Sequence, residues 1–210
     1  MQHDHAEDNL EIEILREMGN MGAGNAAAAL SELIHQEISI SIPEVYVIPQ
    51  AEISDITDSS NTPSIIVYME LPGETRCKVL LSFRRDEAEK LLSMIIQNSL
   101  SSDDMDWKME MSILDETGNI VIGAFLSAIS DFTGLELLPA PPKHRIGMLN
   151  TILNDLLIQL HPARKESVVT VVFKAFFECR QKTAYGTMMM LMNEKLQKLL
   201  VQEGRKWIEC

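Results

Sequence analysis

Residues 13–43 read EILREMGNMGAGNAAAALSELIHQEISISIP, and residues 112–142 read SILDETGNIVIGAFLSAISDFTGLELLPAPP. The second stretch is the first displaced by 99 residues without a gap, and ten positions are identical. They are Ile14/Ile113, Leu15/Leu114, Glu17/Glu116, Gly19/Gly118, Asn20/Asn119, Gly24/Gly123, Ala29/Ala128, Ser31/Ser130, Glu37/Glu136 and Pro43/Pro142. Further on, Lys90-Leu91-Leu92 falls on Lys198-Leu199-Leu200 at an offset of 108, so the second copy carries nine extra residues. A self-match of this length means one structural unit written twice, which constrains the architecture before any single segment is read.

Each copy then reads the same way. Leu10, Ile14 and Met18 recur at helical spacing, which predicts a helix over 8–19. A second, alanine-rich helix follows over 22–35, where Gly22, Ala23 and Gly24 suit close helix packing at some cost in propensity. Ile38, Ile40 and Ile42 alternate as in a half-buried strand over 38–49. Strands over 64–70 and 76–83 form a hairpin across Pro72-Gly73, and a helix over 86–100 has Asp86 as its expected N-cap. A polar linker at 99–104 separates the copies. The second copy predicts helices over 107–117 and on to Phe132, a strand over 135–139, an inserted helix over 146–160, strands over 168–178 and 183–192, and a helix over 193–205. The expected fold class is therefore α/β (α+β): two pseudo-symmetric helix-helix-strand-strand-strand-helix halves, 1–100 and 101–210. Together they would form one compact two-layer domain of sheet and helices.

Composition narrows the function. A formal net charge of −13 argues against nucleic acid and against an anionic membrane surface as partners. The N-terminal residues 1–9 lack the apolar core of a signal peptide. The longest apolar run, Met188 to Met192, is far too short to span a bilayer and reads as core strand. Cys77 and Cys179 lie in apolar strand patterns and read as buried thiols, with Cys210 at the chain end. Three cysteines at these spacings form neither a zinc pattern nor a disulfide framework, which suits a reducing, cytoplasmic location. No metal site is expected; His3 and His5 form only a weak terminal pair.

The chemistry-bearing pattern is the polar one inside the repeat. Glu17 and Asn20 are three residues apart, as are Glu116 and Asn119. Four residues before each Glu stands Glu13 or Ser112. Spacings of four and then three put each trio on one helix face. After each Asn, 22 residues intervene before Pro43 or Pro142. A single Glu-x-x-Asn is ordinarily just a solvated helix face. Here the pair recurs in both copies while packing positions around it differ, as in Ala26/Phe125 and Gly22/Val121. Solvated positions are the ones a duplication normally leaves free to diverge, so retention of the pair points to function. The Gly22-Ala-Gly24 stretch resembles a phosphate-binding loop only superficially: no strand precedes it and no Walker lysine follows.

The duplicated Asp/Ser-x3-Glu-x2-Asn-x22-Pro pattern, with Glu17 to Leu30 and Pro43-Glu44-Val45 around it, resembles the CheC/CheX/FliY family of CheY-phosphate phosphatases. Glu13 departs from the Asp or Ser expected in the first copy; Ser112 conforms in the second. The resemblance implies dephosphorylation of the aspartyl-phosphate of the response regulator CheY. Glu17 and Glu116 would engage a lysine of the partner. Asn20 and Asn119 would orient the attacking water, with Glu13, Ser112, Pro43 and Pro142 in support. Mg²⁺ would be supplied by the response regulator, and the chain needs no cofactor of its own. The resemblance also implies CheD as a partner, with the inserted helix as its dock through Asn150, Asn154 and Asp155. A non-catalytic interaction module of the flagellar-switch FliM type is the alternative, since it shares the fold but lacks the Glu/Asn pairs. So is a chain that serves mainly as a CheD-binding regulator.

Overall fold

The computed structural model describes residues 2–49, 63–73, 76–96, 106–160 and 168–208. Over these the order is α1 (Gln2–Ile34), β1 (Ser39–Pro49), β2 (Ser64–Leu71), β3 (Cys77–Arg84) and α2 (Arg85–Ile95). Then follow α3 (Trp107–Thr133), β4 (Lys143–Gly147), α4 (Leu149–Leu160), β5 (Val168–Cys179), β6 (Lys182–Asn193) and α5 (Glu194–Ile208). The expected linker at 99–104 and Cys210 lie outside the described residues.

All six strands form one sheet in the order β1-β5-β6-β3-β2-β4, with every pairing antiparallel. The order is symmetric about the β6–β3 seam, as the repeat requires. Its outermost strands are exchanged: β1 of the first copy pairs with β5 of the second, and β4 of the second pairs with β2 of the first. Each half thus completes the other's sheet.

Two corrections concern the helices. The two helices expected in each copy are one: α1 runs unbroken through Gly19, Gly22 and Gly24, and α3 through Gly118 and Gly123. Gly22 survives mid-helix because a Cβ there would lie 2.2 Å from Cδ2 of Phe125. That glycine is the slot into which α3 packs on α1. Gly24 makes no such contact, contrary to the packing role expected of it. Asp86 does not cap α2 either. Arg84 is the N-cap, without a side-chain cap bond, and Asp86 in the first turn pairs with Arg84 at 3.2 Å.

A third correction concerns the strand expected over 135–139. Gly134 ends α3 in a left-handed turn (φ 69°), and 135–142 carries no strand. Pro139, Pro141 and Pro142 have no N–H to give a ladder. What is left is one bond, from Ala140 N–H to the Glu70 carbonyl at 2.7 Å, before β4 begins at Lys143. In the first copy the ladder starts earlier but shifts register between Ser41 and Glu44, a bulge at Ile42-Pro43. Retention of the proline in both copies thus has a local meaning: pairing is interrupted just there. Ser31 and Ser130 are likewise explained. Ser31 Oγ donates to the Ile38 carbonyl and accepts from the Ile38 N–H, and Ser130 Oγ donates to the Leu135 carbonyl. Each hydroxyl ties a helix end to the segment that follows.

The helices do not all lie in one layer. α1, α2, α3 and α5 bury Ile14, Met18, Leu91, Phe125 and Leu196 on one sheet face, against Val79, Leu81 and Phe173. α4 covers the other face with Leu153, Leu156, Leu157 and Leu160, against Ile66, Leu80 and Val172. The inserted helix therefore adds a third layer to the expected two. It starts at Leu149 rather than 146; Ile146 belongs to β4 and is 47% exposed. The Met188–Met192 run is buried on both faces of β6, its residues alternating between the two cores, as a central strand should.

Candidate functional site

The placement of both motif helices begins with a glycine. At Gly19 an added Cβ would lie 2.9 Å from Cδ1 of Phe173 on β5; at Gly118 it would lie 2.4 Å from Cγ1 of Val67 on β2. β5 and β2 are counterparts across the β6–β3 seam. In both copies, then, the residue just before the Asn is pressed onto the equivalent strand, and the side chains on the far side of the helix are turned outward. Glu13, Glu17 and Asn20 are exposed, as are Ser112 and Glu116; Asn119 is half-buried. Pro43 is exposed and Pro142 half-buried, each on an edge of the sheet. Both stripes stand on the same sheet face, with Ile14, Leu15 and Met18, or Leu114 and Val121, buried beneath them.

No hydrogen bond or ion pair engages the side chains of Glu17, Asn20, Glu116 or Asn119 among the described residues. Two carboxylates and two amides are thus held on rigid helices without structural employment. An exposed amide offers both a donor and an acceptor.

The surroundings of the two stripes differ. Beside the second lies an open pocket of about 550 Å³ lined by Trp107, Lys108, Ser112, Glu116, Pro142 and His144, among others. Three of its walls are motif positions. Asp115 and His144 close one side, with Nδ1 of His144 2.8 Å from Oδ2 of Asp115, joining α3 to β4. Trp107 is stacked under Arg85, whose guanidinium carbon lies 4.5 Å from the ring centroid. The first stripe has Arg16 and Val45 at the matching offsets and cannot form that pair. Sequence reading missed this wall because Asp115 and His144 meet only through the α3–β4 fold. The available signal was that both positions depart from the repeat.

Other groups are excluded. Cys77 is fully buried, and burial pushes its thiol up to about 12, so it is no nucleophile at neutral pH. Cys179 is buried as well. Among the described residues no three His, Cys, Asp or Glu side chains are grouped to hold a metal ion. α3 is long and apolar enough to cross a membrane by length and composition, a run the one-dimensional reading missed. Half of that stretch is buried against the sheet and α1, as in the core helix of a folded domain.

Asn154 and Asp155 on α4 are exposed, and Asp155 faces Arg145 at 3.8 Å. The apolar neighbour exposed beside them is Ile158, 56% exposed. Asn150 is half-buried. This face lies across the sheet from both motif stripes.

Comparison with known proteins bears on the whole chain. The CheY-P phosphatase CheC of Bacillus subtilis (strain 168) is 27% identical over 197 residues, covering 92% of this chain and 94% of that protein. The flagellar motor switch phosphatase FliY of the same organism is 27% identical over 134 residues, 64% of this chain and 35% of that protein. Among solved structures, Thermotoga maritima FliY matches with a TM-score of 0.69 at 18% identity, over 93% of this chain and 96% of that one. The middle domain of FliM from H. pylori matches with a TM-score of 0.62 at 13% identity, over 92% and 97%. These two structures establish a shared fold. The model of the CheC-like family matches twice, over residues 10–47 and 109–146, the same 99-residue offset as the repeat. The chain is similar to the CheC-like family over both copies of its repeat.

Proposed function

We propose that the chain is a phosphatase that hydrolyses the aspartyl-phosphate of the response regulator CheY, using Glu17 with Asn20 and Glu116 with Asn119 as two sites. The observation that carries this reading is the pair of outward, unpartnered Glu/Asn stripes, each seated by a glycine on equivalent strands. A relative 27% identical over nearly the whole chain is named a CheY-P phosphatase, which supports it.

In the reaction a water attacks phosphorus in line with the bond to the aspartyl oxygen. That bond breaks, the carboxylate is regenerated, and inorganic phosphate leaves. Phosphoryl transfer of this kind is accelerated mainly by positioning and by neutralising charge. The Asn amide accepts a hydrogen bond from the attacking water and so fixes its direction. The Glu carboxylate holds the partner through a cationic side chain. Neither role needs a perturbed pKa. Mg²⁺ is assigned to the regulator's own acidic pocket, and a cytosolic partner places the chain in the cytosol. CheD is assigned to the outer face of α4, around Asn154, Asp155 and Ile158.

The first test follows phosphoryl loss from phosphorylated CheY. The wild-type chain accelerates it, and Asn20→Ala combined with Asn119→Ala returns it to the regulator's own rate. Thermal stability stays nearly unchanged, since substitutions at such sites cost within about 0.5 kcal/mol. Full activity in the double variant would remove both amides from the mechanism. No acceleration by the wild-type chain would favour a FliM-like scaffold, which the shared fold supports. For CheD, Asn154→Lys should weaken binding in a calorimetric titration while sparing phosphatase activity. Unchanged affinity, or a parallel loss of activity, moves that partner elsewhere.

A further inference from the structure

Ten glycines occur in the chain, and the fold accounts for eight of them. Gly73, Gly134 and Gly147 have positive φ. Gly19, Gly22, Gly118, Gly186 and Gly204 each have a neighbouring side chain within 3.0 Å of where a Cβ would sit. Gly24 and Gly123 have neither reason: their φ is ordinary, and nothing lies within 4 Å of an added Cβ. Both sit inside unbroken helices, where glycine is the poorest residue after proline. They are also one position of the repeat, four residues beyond Asn20 and Asn119. With Glu13, Glu17 and Asn20, or Ser112, Glu116 and Asn119, they continue one outward stripe at spacings of four, three and four.

Two helices thus carry the same propensity penalty at the same place with no internal contact to explain it. A missing side chain on an outward helix face leaves the backbone open to a close approach. We infer that Gly24 and Gly123 are contact points for the phosphorylated partner, at which a main-chain segment of it crosses the helix one turn beyond the Asn. Any side chain there would lift the partner off the stripe and move the phosphoryl group away from the amide. The glycines are positioning residues: they touch the partner's backbone and set the height of the reacting atoms. This rests on the phosphatase reading and adds to it the direction in which the partner extends from the site.

The test compares wild type, the double Gly24→Ala/Gly123→Ala variant and the double Gly24→Leu/Gly123→Leu variant. Alanine should raise Tm by about 2–4 °C per site, because the helices gain and nothing is crowded. The same alanines should weaken binding of CheY carrying beryllofluoride severalfold. The leucines should weaken it at least tenfold, with the loss of phosphatase activity appearing in both KM and kcat. Stabilisation together with loss of affinity is a result that a purely structural role cannot produce. Wild-type affinity in the leucine variant, or a lowered Tm in the alanine variant, overturns the inference. A wild-type chain that binds CheY–beryllofluoride but releases no phosphate would sink the phosphatase reading alone, and the titration would still decide the glycines.

Discussion

The two motif helices carry the same stripe on different ground. On α1, Glu17 and Asn20 stand exposed, with Arg16 and Val45 at the positions that differ from the second copy. On α3, Asn119 is half-buried and Glu116 borders a pocket walled by Trp107 and by the Asp115–His144 pair. A duplication supplies two equivalent frameworks, and here the rim has diverged along with much of the packing. On the proposed mechanism, the rim would set how firmly a partner is held and how well a water is fixed. The second site has the Asp115–His144 wall and Ser112, and the first has the bulkier, charged Glu13. An added carboxylate would repel an acidic phosphorylation pocket, so the sites should be unequal.

The largest expected effect follows directly. Asn119→Ala should remove most of the phosphatase activity and Asn20→Ala the smaller share. Each substitution silences its own site by about 100-fold, the scale on which misplaced reactants lose rate. Single variants assayed for phosphate release at subsaturating phosphorylated CheY give the ratio. Equal losses, or a greater loss at Asn20, would mean that the pocket contributes nothing.

A second contrast lies beneath the helices. At Gly118 an added methyl would meet Cγ1 of Val67 at 2.4 Å and its Cβ at 2.7 Å; the Cβ is fixed to the backbone and cannot yield. At Gly19 it would meet the ring edge of Phe173 at 2.9 Å, and a ring can tilt. Gly118→Ala should therefore destabilise the protein by about 1–3 kcal/mol and Gly19→Ala by less, measured by denaturant unfolding. If the order is reversed, the sheet beneath α3 is the softer of the two.

Much of this was legible before any coordinates. The repeat revealed the paired halves, the outward stripes and the antiparallel hairpins, because these depend on residues near one another in sequence. Three things were not. Gly19 and Gly22 looked like a break between helices, since local propensity penalises glycine; the contacts that offset it, Phe173 and Phe125, come from other elements. The exchange of β1 and β4 between halves is a matter of long-range pairing, on which periodicity is silent. The side of the sheet that α4 covers was equally invisible: its leucine stripe showed that it covers something, and only the sheet's second apolar face shows what.

The smallest predicted effect concerns how the second site's edge strand is held. β1 is an 11-residue strand with a long ladder to β5, whereas β4 has only five residues. β4 has an ionic tie instead. Glu70 on β2 accepts from Lys78 Nζ on β3 at 3.0 Å and from Lys143 Nζ on β4 at 3.1 Å. Lys78 also donates to Gln159 on α4 at 3.0 Å, so the cluster links the sheet to its third layer. The bond from Lys78, and then that from Lys143, hold the Glu70 carboxyl below its ordinary 4.5 against the opposing effect of burial. The bond to Glu70 raises Lys143 above its ordinary 10.5. A carboxyl lowered in the folded state stabilises above its unfolded value, and that contribution fades as pH falls through the folded one. A raised lysine stabilises below its unfolded value and fades as pH rises through the folded one. The tie should therefore be complete between about pH 4.5 and 10.5 and weaken on either side. Glu70→Gln should cost at most about 1 kcal/mol inside that window, because the cluster is partly solvated and screened. The difference from wild type should shrink in acid, as read from denaturant midpoints across the pH range. Since Lys143 follows Pro142, the same substitution should slow phosphate release more in a chain carrying Asn20→Ala, where only the second site works, than in one carrying Asn119→Ala. Equal slowing in the two backgrounds would show that the β4 tie serves the fold as a whole and not the rim of the second site.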